Sequence, residues 1–164
     1  MEKLSTDKYI IGIARIALGF VLFWAFIDKM FGLGHATSKD GAIINGGKAT
    51  LGFLKFGTVD SPLHGFFASI AGGWLTEVLF LAGLALIGLA LILGIGTRIA
   101  GVSGALLMSM MYLASLPMEN NPILDEHIIY LLLFLYFATY DKVGHYLGFG
   151  AQWAEITNNN PILA

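Results

Sequence analysis

The chain has 164 residues, enough for one domain and too few for two ordinary ones. Hydrophobic residues make up 57% of it, charged residues only 12%, and the mean hydropathy is +0.76; a soluble domain carries about twice that charged share and could not cover so much apolar surface. The net charge of -2 gives no footing for nucleic acid or for a polybasic membrane-surface protein.

Crossing the hydrocarbon takes about 20 mostly apolar residues, and four segments approach that length. The first, 9–27, is longer than a signal-peptide core. Asp28-Lys29 follow it in place of a small-residue cleavage site, so it reads as a retained helix. In the long connection 28–73, Asp60-Ser61-Pro62 is a helix start and Gly72-Gly73 a stop. These signals predict a short apolar helix over 62–71, too short to span and suited to the membrane interface. A piece at 51–56 reads as another interfacial turn. The second span is 74–93, closed by the turn 94–98, and the third is 99–116, stopped by Pro117. The fourth, 127–147, is strictly apolar from 128 to 140 and continues through Asp141 and Lys142 at the headgroups. The tail 157–164, with three consecutive asparagines and a proline, reads as flexible. The expectation is an all-α integral membrane protein. One domain, 1–156, forms a four-transmembrane-helix bundle with a long first loop containing a short interfacial helix.

Lysine and arginine set the orientation. With four spans, Lys3, Lys8, Arg98, Lys142 and the nearby Arg15 share one side, against Lys29, Lys39, Lys48 and Lys55 on the other. That balance favours a multi-pass protein of the cell membrane with both termini in the cytoplasm. Lipid supplies no hydrophobic drive between apolar helices, so their contacts are expected at small residues. Gly101, Ala105 and Ser109 follow at four-residue spacing in the third span, and Gly83 and Gly88 thin the second. Met108, Met110 and Met111 read as core or lipid contacts rather than a metal-binding set.

Cysteine is absent, which excludes disulfides, thiolate metal sites, iron–sulfur clusters and thiol relays carried by this chain. The four-helix quinone-linked disulfide enzymes are disfavoured on that ground. Ionisable groups within spans are costly and need partners. Arg15 has two readings, pairing with Asp141 or reaching out to lipid phosphate. The opposite face gathers Asp28, Lys29, Glu77, Asp125, Glu126 and His127. A buried glutamate tends toward its neutral form unless paired, and Lys29 is the nearest partner for Glu77 by depth. With Trp24, Trp74 and Tyr130 lining the same interface, this group suits a quinone headgroup, whose reduction takes electrons and protons together. An ordinary ring of interfacial charges fits the spacing as well. Haem does not fit: His127 and His145 lie on one predicted helix, 18 residues or about 27 Å apart, and His35 and His64 fall in the first loop. No nucleotide-binding loop, metal motif or hydrolase elbow occurs.

Short motifs recur in a familiar order. The first span reads Arg15-Ile16-Ala17-Leu18-Gly19-Phe20, then Ile27-Asp28-Lys29-Met30-Phe31-Gly32. The second and third carry Glu77, Gly83-Leu84 and Leu93-Gly94-Ile95-Gly96-Thr97-Arg98-Ile99-Ala100-Gly101; the fourth opens Asn121-Pro122-Ile123-Leu124-Asp125-Glu126-His127-Ile128. Over residues 9–153 this resembles the DoxX/DoxD family of membrane proteins, and the long first loop and Asp125-Glu126-His127 are more similar to the DoxD branch. The resemblance implies the larger subunit of a thiosulfate:quinone oxidoreductase, which oxidises thiosulfate to tetrathionate and passes the electrons to membrane quinone. It also implies a smaller partner subunit with a single membrane anchor, beside contact with membrane lipid. A homo-oligomer is equally compatible. The family's recurrent polar positions fall on Arg15, Lys29, Glu77, Arg98 and His127. Glu77 and His127 would then handle protons, while Lys29, Arg15 and Arg98, with Lys39 or Lys48, would meet the anionic substrate. Trp74, Trp24 and Tyr130 would line the quinone. The competing expectation is a non-enzymatic lipid-binding or scaffolding protein of the same family. A small transporter fits less well, since no inverted repeat is evident.

Overall fold

The computed structural model describes residues 5–118, 121, 123–140, 142–158, 160 and 162–163. Among them the secondary structure is entirely helical. Helix α1 is Thr6–Phe31, α2 His64–Ile70, α3 Trp74–Leu93, α4 Thr97–Ala114, α5 Glu126–Thr139 and α6 Gly150–Ile156. Three of these, α1, α3 and α4, are long and apolar enough to cross a membrane. Helix α5 is apolar but has only 14 residues. At 1.5 Å per residue that is about 21 Å, short of the ~30 Å hydrocarbon thickness.

The helix ends follow from local chemistry. Gly32 takes the left-handed conformation (φ 63°) that stops α1, and its N–H donates to the Asp28 carbonyl at 2.8 Å. Gly94 (φ 73°) ends α3 in the same way, donating to Ala90 at 2.8 Å. Asp125 caps α5, its carboxylate accepting from the N–H groups of His127 and Ile128 at 3.1 and 3.3 Å. Helix α2 begins two residues later than predicted because Pro62 is spent in a turn. Ser61 donates to Thr58 at 2.8 Å and His64 to Ser61 at 3.0 Å before the helix starts. The first loop also holds a 3-10 turn, Ile43–Asn45, and a π-helical turn, Phe53–Gly57, the latter overlapping the stretch 51–56 expected to be a turn.

The fourth predicted span needs correction. Helix α5 ends at Thr139, and Tyr140 is extended (ψ 95°). The chain then turns through a 3-10 segment, Val143–His145, instead of continuing to Leu147. Beyond that turn, Arg15 of α1 donates to the carbonyls of Tyr146 and Leu147 and ties this end of the chain to the first helix. Thr139 loosens the last turn of α5 by donating its hydroxyl back to Leu135 and Tyr136 at 3.1 and 3.0 Å.

Helix α1 packs chiefly on α3 and α4 on α5, with α3 against α4 joining the two pairs. One apolar core runs through the bundle: Leu18 and Leu22 of α1, Leu84, Ile87 and Leu91 of α3, Met108 of α4, Phe134 and Phe137 of α5, and Val143. Each pair closes at glycines. A Cβ on Gly19 would lie 2.8 Å from the Gly88 carbonyl, and one on Gly88 2.7 Å from the Phe23 nitrogen. A Cβ on Gly101 would lie 2.6 Å from the Phe134 carbonyl. Gly88 and Gly101 are therefore contact residues, as their sequence setting predicts. Gly83 is not, since its nearest neighbours stand at 4.0 Å. A second small cluster, Leu54, Phe67 and Ala114, with Met110 alongside, fastens the loop helix and the π turn to the end of α4. The outer faces stay apolar: Ile10, Phe20, Leu79, Leu86, Leu106 and Leu132 are all exposed. An apolar exterior on this scale is compatible with a membrane location.

Candidate functional site

Antiparallel helices bring the end of α1, the start of α3, the end of α4 and the start of α5 to one end of the bundle, where the first loop also folds. Glu77 lies one turn into α3. Its Oε2 accepts from the Ala49 N–H at 2.7 Å; its Oε1 accepts from the Thr50 N–H at 2.9 Å and the Thr50 hydroxyl at 2.5 Å. The Thr50 hydroxyl oxygen in turn accepts from the Gly72 N–H at 3.1 Å, and Lys48 Nζ donates to the Gly72 carbonyl at 2.8 Å. The expected Lys29 partner is replaced by these three donors from the loop. Asp28, almost fully buried, takes the Ala36 and His35 N–H groups at 2.9 and 3.3 Å and so reverses the chain after α1. Nothing in the sequence marked residues 48–50 as the partner of Glu77. The nearest signal was that a half-buried carboxylate one turn inside a helix requires donors from somewhere.

His127 and Asp125 form a second polar centre at the same end. Nδ1 of His127 stands 2.6 Å from Asp125 Oδ2, with the two side chains 17% and 14% exposed. Both border a half-open cleft of about 590 Å³. Asp60 and Ser61 line it from the first loop, Phe53 and Gly57 from the π turn, Ser115 to Met118 from the end of α4, and Glu126 from α5. Glu77 and His127, expected to work together, share no hydrogen bond or ion pair among the described residues. Each is occupied by its own neighbours.

The aromatic residues are dispersed in the same sense. Trp24 stacks on Phe20 at 6.0 Å and meets His35 edge-on at 5.3 Å. Trp74, at the first position of α3, is 78% exposed. Tyr130 packs against the bundle core. Among the described residues no ring contact joins the three.

At the opposite end Arg15 is fully buried. Its Nη1 donates to the carbonyls of Leu91 and, at 3.2 Å, Ile92; its Nη2 donates to those of Tyr146 and Leu147 at 2.9 and 3.2 Å. The expectation that Arg15 extends to lipid phosphate is overturned by this cage of carbonyls. Asp141, the other expected partner, lies outside the described residues. Two physical effects hold the guanidinium. The last carbonyls of α3 lack intrahelical donors, and that helix end carries partial negative charge. Glycines make the room: a Cβ on Gly148 would meet Nη2 at 2.9 Å, and one on Gly94 would meet Nη1 at 3.0 Å. Arg98 is exposed in the first turn of α4, and Lys29 is half-buried in the last turn of α1. His145, in the turn after α5, has its imidazole held below the ordinary pKa by partial burial and by Lys142. The chain matches no protein-family model, no curated protein and no solved structure.

Proposed function

We propose that the chain crosses the cell membrane four times, with both termini in the cytoplasm, and serves as a DoxD-like subunit of a thiosulfate:quinone oxidoreductase. The fourth pass is α5, a short helix met by local thinning of the bilayer. Two thiosulfate ions join through a new S–S bond, giving tetrathionate and two electrons. A membrane quinone takes those electrons with two protons and becomes the quinol. The smaller, single-anchor partner completes the enzyme. His127 hands protons to the quinone at the loop-bearing end of the bundle, and Glu77 holds the loop that walls that end. The observation that carries this reading is the Asp125–His127 pair, partly exposed at the edge of a cleft large enough for a ring headgroup.

The protein purified in native lipid with its partner should reduce a short-chain ubiquinone only when thiosulfate is added. Replacing His127 by Gln should slow that reduction. Thiosulfate-independent behaviour, or full activity in the variant, removes the assignment.

A second reading, a lipid-binding scaffold, is favoured by one specific pattern. Arg15, Asp28 and Glu77 all direct their hydrogen bonds at groups of this same chain, most of them backbone. Under that reading neither quinone reduction nor a copurifying catalytic partner is expected.

A further inference from the structure

We infer that Asp125 is a positioning residue that holds His127 as a single tautomer, leaving Nε2 as the ring atom that exchanges protons with an uncharged ligand in the cleft. The choice of this end and of a proton-exchanging role rests on the function proposed above; the tautomer itself follows from geometry alone.

Asp125 does two tasks with two oxygens. Oδ1 caps α5 by accepting the N–H groups of His127 and Ile128. Oδ2 faces His127 Nδ1 at 2.6 Å. A carboxylate is an acceptor only, so the hydrogen in that contact belongs to Nδ1. In the neutral ring Nε2 is then the unprotonated nitrogen, and it has no partner among the described residues. The helix cap fixes Asp125, and Asp125 fixes the ring: orientation and tautomer are set before any ligand arrives. When the ring takes up a second proton, the same carboxylate stabilises the imidazolium. A proton passes from solvent to Nε2 and from Nε2 to a ligand oxygen, and the ring returns to its starting tautomer.

The lining limits what that ligand is. Asp60, Asp125 and Glu126 border the cleft, and no lysine or arginine lines it among the described residues. A dianion such as thiosulfate would meet like charge there. Phe53, Leu116 and Met118 supply apolar wall, and Ser61 and Ser115 supply hydroxyls. An uncharged ring bearing carbonyl or hydroxyl oxygens matches this surface. The anion must then react elsewhere, so the two half-reactions occupy separate places.

Nitrogen-15 spectra of the imidazoles, recorded on the protein in lipid above the histidine titration range, test the assignment. The His127 signal is identified by its loss in His127→Gln. The expected result is a protonated Nδ1 in the parent protein. Asp125→Asn retains a good helix cap but presents an amide that can donate, and it should move the proton to Nε2. A parent ring protonated at Nε2, or an unchanged tautomer in Asp125→Asn, overturns the inference. Adding a short-chain ubiquinone should shift the His127 signal, while thiosulfate at the same concentration should not. A shift from thiosulfate alone overturns the assignment of the cleft to an uncharged ligand. No shift from the quinone, with the tautomer as expected, removes the quinone reading and leaves the role of Asp125 standing.

Discussion

Glu77 and Thr50, 27 residues apart, are joined twice through one oxygen: Oε1 of Glu77 accepts both the backbone N–H and the hydroxyl of Thr50. The other oxygen takes the Ala49 N–H, so a single carboxylate anchors the first loop to the start of α3. Glu77→Ala should leave two backbone donors without acceptors, a cost of about 1–3 kcal/mol for each one kept from water. Amide exchange at Ala49 and Thr50 should accelerate strongly while exchange in α4 stays unchanged. Glu77→Gln, which keeps one acceptor oxygen, should show a smaller effect. Equal exchange in all three proteins would remove the clamp.

Arg15 should prove hard to replace. Arg15→Met withdraws donors from four carbonyls at once, and hydrogen bonds to a charged group contribute about 1.5–3 kcal/mol each. Arg15→Lys offers three donors from one point and fits the two separated pairs of acceptors poorly. Thermal unfolding in detergent should rank the parent above Lys and Lys above Met. A Met variant as stable as the parent would refute the carbonyl cage.

The glycines sort into two kinds. Gly101→Ala and Gly88→Ala push a methyl group into backbone atoms of the facing helix, and overpacking of this sort costs about 1–3 kcal/mol. Gly83→Ala has room and gains helix propensity, so it should be neutral or mildly stabilising. The comparison needs only melting temperatures of three variants.

His145 should titrate below a free imidazole. Burial disfavours its charged form, and the positive charge of Lys142 adds to that. Removing the charge with Lys142→Gln should raise the midpoint toward the ordinary value, read from the His145 ring resonances as pH is varied. A midpoint that falls instead would mean that Lys142 is not the neighbour that matters.

Because the chain has no cysteine, single-cysteine variants report topology without background. Cysteines at Glu77 and His127 should be labelled from the same side, and those at Lys8, Arg98 and Lys142 from the other. Opposite labelling of Glu77 and His127 would undo the proposed four-pass arrangement.

The long elements were legible in the sequence because their signals are local. The 74–93 segment matches α3 to the residue, since an apolar run flanked by Gly73 and Gly94 has only one length it can take. Helix α4 begins two residues earlier than expected, with Gly96 as its cap. The end of α5 was not legible. The turn that follows it is held by Arg15, more than a hundred residues away in the chain, a long-range contact that periodicity does not encode. The site shows the same division. The pairing of Asp125 with His127 lies within two positions and belongs to a helix start that the sequence displays. The partners of Glu77 lie in a turn-rich loop whose path no periodic pattern encodes.

The carbonyl cage also orders events during synthesis. Arg15 is made with the first helix, yet Leu91 and Ile92 follow 76 and 77 residues later, and Tyr146 and Leu147 only after 131 and 132. Until the turn at 143–147 is made, the guanidinium lacks two of its four carbonyl acceptors. The first helix completes its bonding only once the turn after α5 has been made. Truncation there would strand the beginning of the protein, far from the cut.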